Sequence, residues 1–250
     1  MGVRCPECVR ELRAEQQTMQ RATRRATGAP RTAVGRRARQ WLAQPAPVTI
    51  AIFAVTALVG VLQILPGDLA SALAYFLPFS LFEPWRFVTY ALVHAGVLHF
   101  AFNMLVLWMV GPPIEQRIGR LPFLAAYIVS VAGAAVAVAW LTPLSAVVGA
   151  SGGIYALFGM LIGMQRMVGR VQPSLLIIVG INLAITFLFG GISWPAHVGG
   201  LAIGLAIGFG IGFADKRMRR ASTATTSWMV IGGVAALLAA IFAARVATLL

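Results

Sequence analysis

Apolar runs about as long as a membrane is thick recur seven times between Val48 and Ala244. They cover roughly Val48–Leu65, Ala91–Val110, Leu121–Leu141, Ala146–Met164, Ser174–Phe189, Trp194–Phe213 and Trp228–Ala244. Each holds about 16–21 residues, near the ~20 that a helix needs to cross the hydrocarbon. None alternates with period two, and in lipid only a helix or a closed barrel satisfies its own backbone. The pattern predicts an all-α, polytopic membrane bundle. Before Val48 the pattern is polar and Arg-rich, without the apolar core of a cleavable signal peptide. The predicted organisation is a basic cytoplasmic arm over 1–47, a six-helix body over 48–215, and a cytoplasmic linker with a seventh transmembrane helix over 216–250.

Composition supports that division. Of the 250 residues 59% are hydrophobic and 11% charged, against about 25% charged in a soluble domain. With a mean hydropathy of +0.84, the apolar residues cannot all be enclosed in one water-soluble core, which excludes an ordinary cytosolic enzyme. The net charge of +13 suggests nucleic acid until its distribution is read. Ten of the 20 basic residues fall between Arg4 and Arg39, with Glu7, Glu11 and Glu15 as the acids there, a local net of +7. The excess is a basic tail on an apolar body, suited to anionic membrane lipid rather than to nucleic acid.

The loops orient the chain. Arg117 and Arg120 follow span two, Arg166 and Arg170 follow span four, and Lys216, Arg217, Arg219 and Arg220 follow span six. The alternate loops hold Asp68, Glu83 and Arg86, or no charge. Basic clusters on one side place the N-terminus in the cytoplasm and the C-terminus, with Arg245, outside a cell membrane. The first outer loop, Pro66–Val88, carries Tyr75, Phe76, Phe79, Phe82, Trp85 and Phe87. It reads either as a segment lying in the interface or as an ordinary interfacial loop. Cys5 and Cys8 form one Cys-x-x-Cys. Structural zinc needs four ligands, so this is half a knuckle, a redox pair or, most simply, a reduced pair without metal.

Polar residues inside spans are costly, and each is a functional hypothesis. Span two carries His94, His99 and Asn103, span four Ser151, span five Asn182 and span six His197, and no span carries Asp or Glu. His94, His99, Asn103, Ser151 and His197 all fall in the outer halves of their spans. His99 and Asn103, four apart, share a face. Ser151, Tyr155, Gly159 and Gly163 repeat every four residues on span four, and His197, Gly200 and Gly204 line one face of span six. Small residues on both faces permit close approach, which would bring Ser151 against His197 with Tyr155 beside them. Gly149-Ala150-Ser151-Gly152 would give a tight turn into a helix whose free N–H groups can bind an oxyanion. Ser and His without a carboxylate make a dyad, in which imidazole takes the hydroxyl proton. Tyr155 is then the nearest group to hold the ring, and His99 and Asn103 would donate to the oxyanion. Residue types alone leave this reading and plain helix packing equally open.

At these residues the sequence resembles the rhomboid intramembrane serine proteases. The match runs in order from about Val48 to Asp215. It takes in Trp85-Arg86, then His94, His99 and Asn103, then Glu115-x-Arg117-x-Gly119, then Gly149-x-Ser151-Gly152 with Tyr155, and finally Ala196-His197-x-x-Gly200-x-x-x-Gly204. The resemblance implies a six-helix catalytic core, here followed by a seventh helix. It implies Ser151 as nucleophile and His197 as base, with His99, Asn103, the Ser151 amide and Gly152 at the oxyanion hole. Transmembrane segments of other proteins would be the substrates, and no metal, nucleotide or other cofactor is implied. The rival readings are a catalytically inactive rhomboid-like protein that binds membrane helices, and a transporter, whose polar residues should cross both leaflets. Nineteen Arg to one Lys, with abundant Ala and Gly, suggest a bacterial source.

Overall fold

The computed structural model describes residues 46–188, 190–218 and 222–249. The arm over 1–47, with Cys5 and Cys8, lies outside them except for its last two residues, and so do Arg219 and Arg220. The described residues belong to one compact unit, 45–250. They form ten α-helices and one turn of 3₁₀ helix, Tyr90–Leu92. The long helices are α1 (Pro47–Leu62), α5 (Val97–Ile118), α6 (Arg120–Leu141), α7 (Ser151–Met167), α8 (Pro173–Leu188), α9 (Trp194–Arg217) and α10 (Thr223–Ala247). Three short helices, α2 (Leu69–Leu73), α3 (Leu77–Ser80) and α4 (Arg86–Thr89), fill the stretch between α1 and α5.

Four of these helices, α5, α6, α9 and α10, are long and apolar enough to cross a membrane, at 22 to 25 residues. Of the other three, α1 and α7 are shorter than the sequence pattern suggests, and α8 has the expected length. The 16 residues of α1 and α8 span about 24 Å at 1.5 Å per residue. Helix α7, with 17 residues, is buried over most of its length. It is enclosed by protein, so its apolar side chains do not need to match a lipid thickness. Outside, the bundle is apolar: Leu58, Phe102, Ile177, Phe213 and Leu237 are each more than half exposed. In water this surface would drive aggregation, whereas lipid tails cover it at no cost.

Two helices start well after their apolar runs do, whereas α10 starts at Thr223, five residues before the expected Trp228. Span two was expected from Ala91, but α5 begins at Val97. The 3₁₀ turn ends in an extended Val93, and Gly96 takes φ +122°, a conformation that side chains resist. His94 therefore lies just before the helix. Span four was expected from Ala146, but α7 begins at Ser151. Before it, Val147 pairs with Tyr75 through two backbone hydrogen bonds of 3.0 and 2.9 Å. The apolar run continues through both breaks, so hydropathy alone does not mark them.

Helix α5 also runs further than its apolar stretch, to Ile118, and so includes Glu115, contrary to the expectation of acid-free spans. This carboxylate is buried. It accepts from the backbone N–H of Val48 (3.0 Å), the N–H of Thr49 (2.8 Å) and the Thr49 hydroxyl (2.8 Å). It thus supplies the acceptors that the first turn of α1 lacks, where a negative charge also suits the helix dipole.

The centre of the bundle is α7 against α9. A Cβ added to Gly204 would run into the carbonyl oxygen of Ala156, and one at Gly163 would lie 2.6 Å from Phe209 N. Two backbones therefore touch where side chains would normally intervene. Helix α10 packs on α6 and α9. At one end Asp215 of α9 accepts from Thr226 of α10 (2.6 Å) and lies 3.5 Å from Arg117. At the other, Arg245 donates to the carbonyl of Ala139 (2.8 Å) and lies over the Trp140 ring.

Candidate active site

The starts of α5, α7 and α9 meet at one end of the bundle, around a cavity of about 560 Å³. Its lining includes His99, Asn103, Ser151, Tyr155, Thr186 and His197. Ser151 is the first residue of α7, and its hydroxyl lies 2.8 Å from His197 Nε2. Close packing of α7 and α9 sets this distance. His197 is the fourth residue of α9, and Gly200, almost one turn on, sits against the backbone of Gly152. On its other side Gly152 faces α6, where an added Cβ would meet Ala134 Cβ at 2.8 Å and the Tyr90 hydroxyl at 3.1 Å.

The His197 ring is held from two directions. Tyr155, one turn along α7 from Ser151, stacks on it with centroids 4.2 Å apart and planes 18° apart. The ring was expected to be held by Tyr155. The stack does restrict its plane, but the hydrogen-bond partner of Nδ1 is Thr186 of α8, at 2.7 Å. Thr186 is buried, donates to the carbonyl of Asn182 at 3.0 Å, and lies 3.5 Å from the Tyr155 hydroxyl. Nothing in an apolar helix marks one threonine as different from another. The available hint was Asn182, four residues earlier and hence on the same face. Asn182 itself is exposed, and its amide donates to the Ile178 carbonyl.

His99 and Asn103 face the same cavity. One amide hydrogen of Asn103 donates to the His99 carbonyl (2.8 Å), which leaves the other for a ligand. His99 Nδ1 accepts from Ala95 N at 3.4 Å, so the ring proton belongs on Nε2, a donor. Gly149 makes room for this ring. Its φ is +111°, and an added Cβ would lie 2.8 Å from His99 Nε2. The amides of Ser151, Gly152 and Gly153 are in the first turn of α7, where no carbonyl of the helix can reach them. His94 contributes from behind: its Nε2 accepts from Ala150 N (3.4 Å), and its ring meets His99 edge to face. Gln63 at the end of α1, which the sequence pattern does not single out, grips the His94 backbone in both directions, at 2.7 and 3.0 Å.

Trp85 and Arg86 are further from the chemistry. Trp85 is 52% exposed. Arg86 is buried, pairs with Glu83, donates to the carbonyls of Ser71 (2.5 Å) and Ala74 (2.8 Å), and lies over Phe79. It knits the stretch between α1 and α5 into a unit. The aromatic residues there divide accordingly. Tyr75 is fully buried, whereas Phe79, Phe82 and Trp85 project outward. Among the described residues no cluster of His, Cys, Asp and Glu could hold a metal ion.

This geometry, a hydroxyl on an imidazole beside unpaired N–H donors in a cavity, suits acyl transfer. The profile of the rhomboid domain matches residues 81–213, just over half of the chain. The chain belongs to the rhomboid family. It is a membrane protein, as that family and its apolar helices require. Over 124 residues it is 32% identical to rhomboid protease GluP of Bacillus subtilis, covering 48% of this chain and 24% of that protein. Over 93 residues it is 42% identical to Rhomboid-related protein 2 of Mus musculus, covering 37% of this chain and 30% of that protein. Over 76 residues it is 34% identical to rhomboid protease GlpG of an Enterobacter species, covering 29% and 28%. The chain thus spans 24% to 30% of the length of these three rhomboid relatives.

Proposed function

We propose that this rhomboid-family chain is an intramembrane serine endopeptidase that cleaves transmembrane segments of other proteins. The observation that carries the reading is the 2.8 Å contact between the Ser151 hydroxyl and His197 Nε2 inside the cavity. In the proposed reaction His197 takes the Ser151 proton as Oγ attacks the scissile carbonyl. The oxyanion is met by the N–H groups of Ser151 and Gly152, by His99 Nε2–H and by the free Asn103 amide hydrogen. His197 then passes its proton to the leaving amine as the C–N bond breaks, and water hydrolyses the ester on Ser151 by the same steps in the second half. An inactive helix-binding relative has no need of a serine and a histidine in contact, which favours the enzyme over that alternative.

The substrate's helix must unwind locally before a carbonyl can approach Ser151, because helical amides are already paired and screened. Small or helix-breaking residues near the cut are therefore favoured. The catalytic core is proposed to comprise residues 48–215, in a cell membrane with the N-terminus cytoplasmic and the C-terminus outside. The arm over 1–47 is proposed to contact anionic lipid, worth ~1 kcal/mol per basic residue near the surface. The test is covalent labelling of the full chain in detergent with a fluorophosphonate, alongside cleavage of a transmembrane peptide. Wild type should label and cleave, and Ser151→Ala should do neither while keeping its melting temperature. Cleavage by purified Ser151→Ala would remove the proposal.

A further inference from the structure

We propose that Thr186 is the positioning residue for His197, fixing the imidazole proton on Nδ1 so that Nε2 is left to accept from Ser151. The proposal rests on the dyad reading above and adds the group that stands where a triad has its acid. A hydroxyl has one hydrogen and accepts with its lone pairs. In the proposed arrangement the Thr186 hydrogen is donated to the Asn182 carbonyl, 3.0 Å away. Towards His197 Nδ1, 2.7 Å away, the oxygen then accepts, and Nδ1 carries the proton. In neutral imidazole the other nitrogen then has the lone pair, and that nitrogen is the one 2.8 Å from Ser151 Oγ. The opposite tautomer would place N–H against the serine and leave no base.

Among the described residues no other group can do this. The described acidic residues are Asp68, Glu83, Glu115 and Asp215. Glu115 is taken up by the first turn of α1 and Asp215 by α10, while Glu83 pairs with Arg86 and Asp68 stands before the short α2, outside the lining of the cavity. Tyr155 lies flat on the ring, a geometry that restricts its plane but cannot select a tautomer. Its hydroxyl, 3.5 Å from Thr186, can reinforce the threonine as a second donor to the same oxygen. The bond also crosses between helices. Thr186 is one of only three buried residues on α8, with Leu175 and Val179. The tautomer of a residue on α9 therefore depends on the seating of a sparsely packed neighbour.

The experiment uses the full chain in detergent and compares wild type, Thr186→Val, Thr186→Ser and Ser151→Ala. Valine keeps the shape and removes the acceptor, while serine restores the acceptor and loses a methyl group. Thr186→Val should lose on the order of 10- to 100-fold in kcat, with KM nearly unchanged. Thr186→Ser should recover most of that loss. The chain has three histidines, so isotope-labelled imidazole nitrogens are resolvable by NMR once His197→Ala has assigned the signal. His197 should show the Nδ1–H form in wild type and Thr186→Ser, and a mixture in Thr186→Val. Wild-type kcat in Thr186→Val would overturn the proposal. So would a loss of activity with the Nδ1–H signature intact, because that marks a purely structural role. Labelling that persists in Ser151→Ala would instead sink the dyad reading itself. Specific Ser151 labelling together with full-rate Thr186→Val would sink the present inference alone.

Discussion

Adding one methyl group at Gly200 should disable the site by prising two helices apart. A Cβ there would lie on the carbonyl oxygen of Gly152 and 2.9 Å from its carbonyl carbon. Carbon and carbonyl oxygen approach to about 3.3–3.6 Å in close helix contacts. Gly200→Ala therefore requires roughly 1 Å of separation between α7 and α9 at this level. The obstacle is backbone on both sides, so no rotamer change relieves it. The Ser151–His197 contact, less than one turn away, starts at 2.8 Å and would open beyond the ~3.2 Å limit of a useful hydrogen bond. Overpacking of this kind costs about 1–3 kcal/mol, so stability and activity should fall together. Thermal unfolding in detergent and fluorophosphonate labelling rates measure the two effects. Gly233→Ala on α10 is the control, since an added Cβ there meets nothing within 4 Å. It should be neutral or gain about 0.5–1 kcal/mol from helix propensity. Gly200→Ala with full labelling and unchanged melting would show that the close contact of α7 and α9 does not set the dyad distance.

Asn103→Ala should slow turnover by about 10²-fold and leave KM nearly unchanged, because its amide meets charge that develops only in the transition state; steady-state kinetics showing an effect on KM alone would make Asn103 a substrate-positioning group. Glu115→Ala should lower the melting temperature, since three donors in α1 lose a shared acceptor, at about 1–3 kcal/mol for each donor left without a partner. The dyad lies at the other end of α5, so specific activity at low temperature should persist, and a selective loss of activity without destabilisation would contradict the capping role.

Much of this molecule is legible in its sequence, for reasons that differ from residue to residue. Charge-poor apolar runs identify the long helices because lipid tolerates little else. The four-residue spacing of Ser151, Tyr155, Gly159 and Gly163 survives into the structure because a continuous helix preserves it. The break at Gly96 was hidden, because the apolar residues on either side are indifferent to whether the chain is helical or extended. Glu115 looked like the start of a loop, since a charge usually ends a span. Only its partners at the start of α1, 66 residues away, explain its place inside a helix. Thr186 was hidden for a related reason. Its hydroxyl is ordinary until His197 comes within 2.7 Å, and no local pattern encodes a contact between two helices.

The strand-like pairing of Tyr75 with Val147 bears on how this protein can be recombined. Those two hydrogen bonds, with a third from Gly149 N to the Tyr90 carbonyl at 2.8 Å, hang the residues before Ser151 on a segment far earlier in the chain. The height of Ser151 in the bundle is thereby inherited from residues that the proposed reaction does not use. In a chimera with a relative, residues 66–92 and 142–150 behave as one inheritable block. Exchanging either piece alone would leave a helix beginning at the wrong level, even with every residue of the cavity retained.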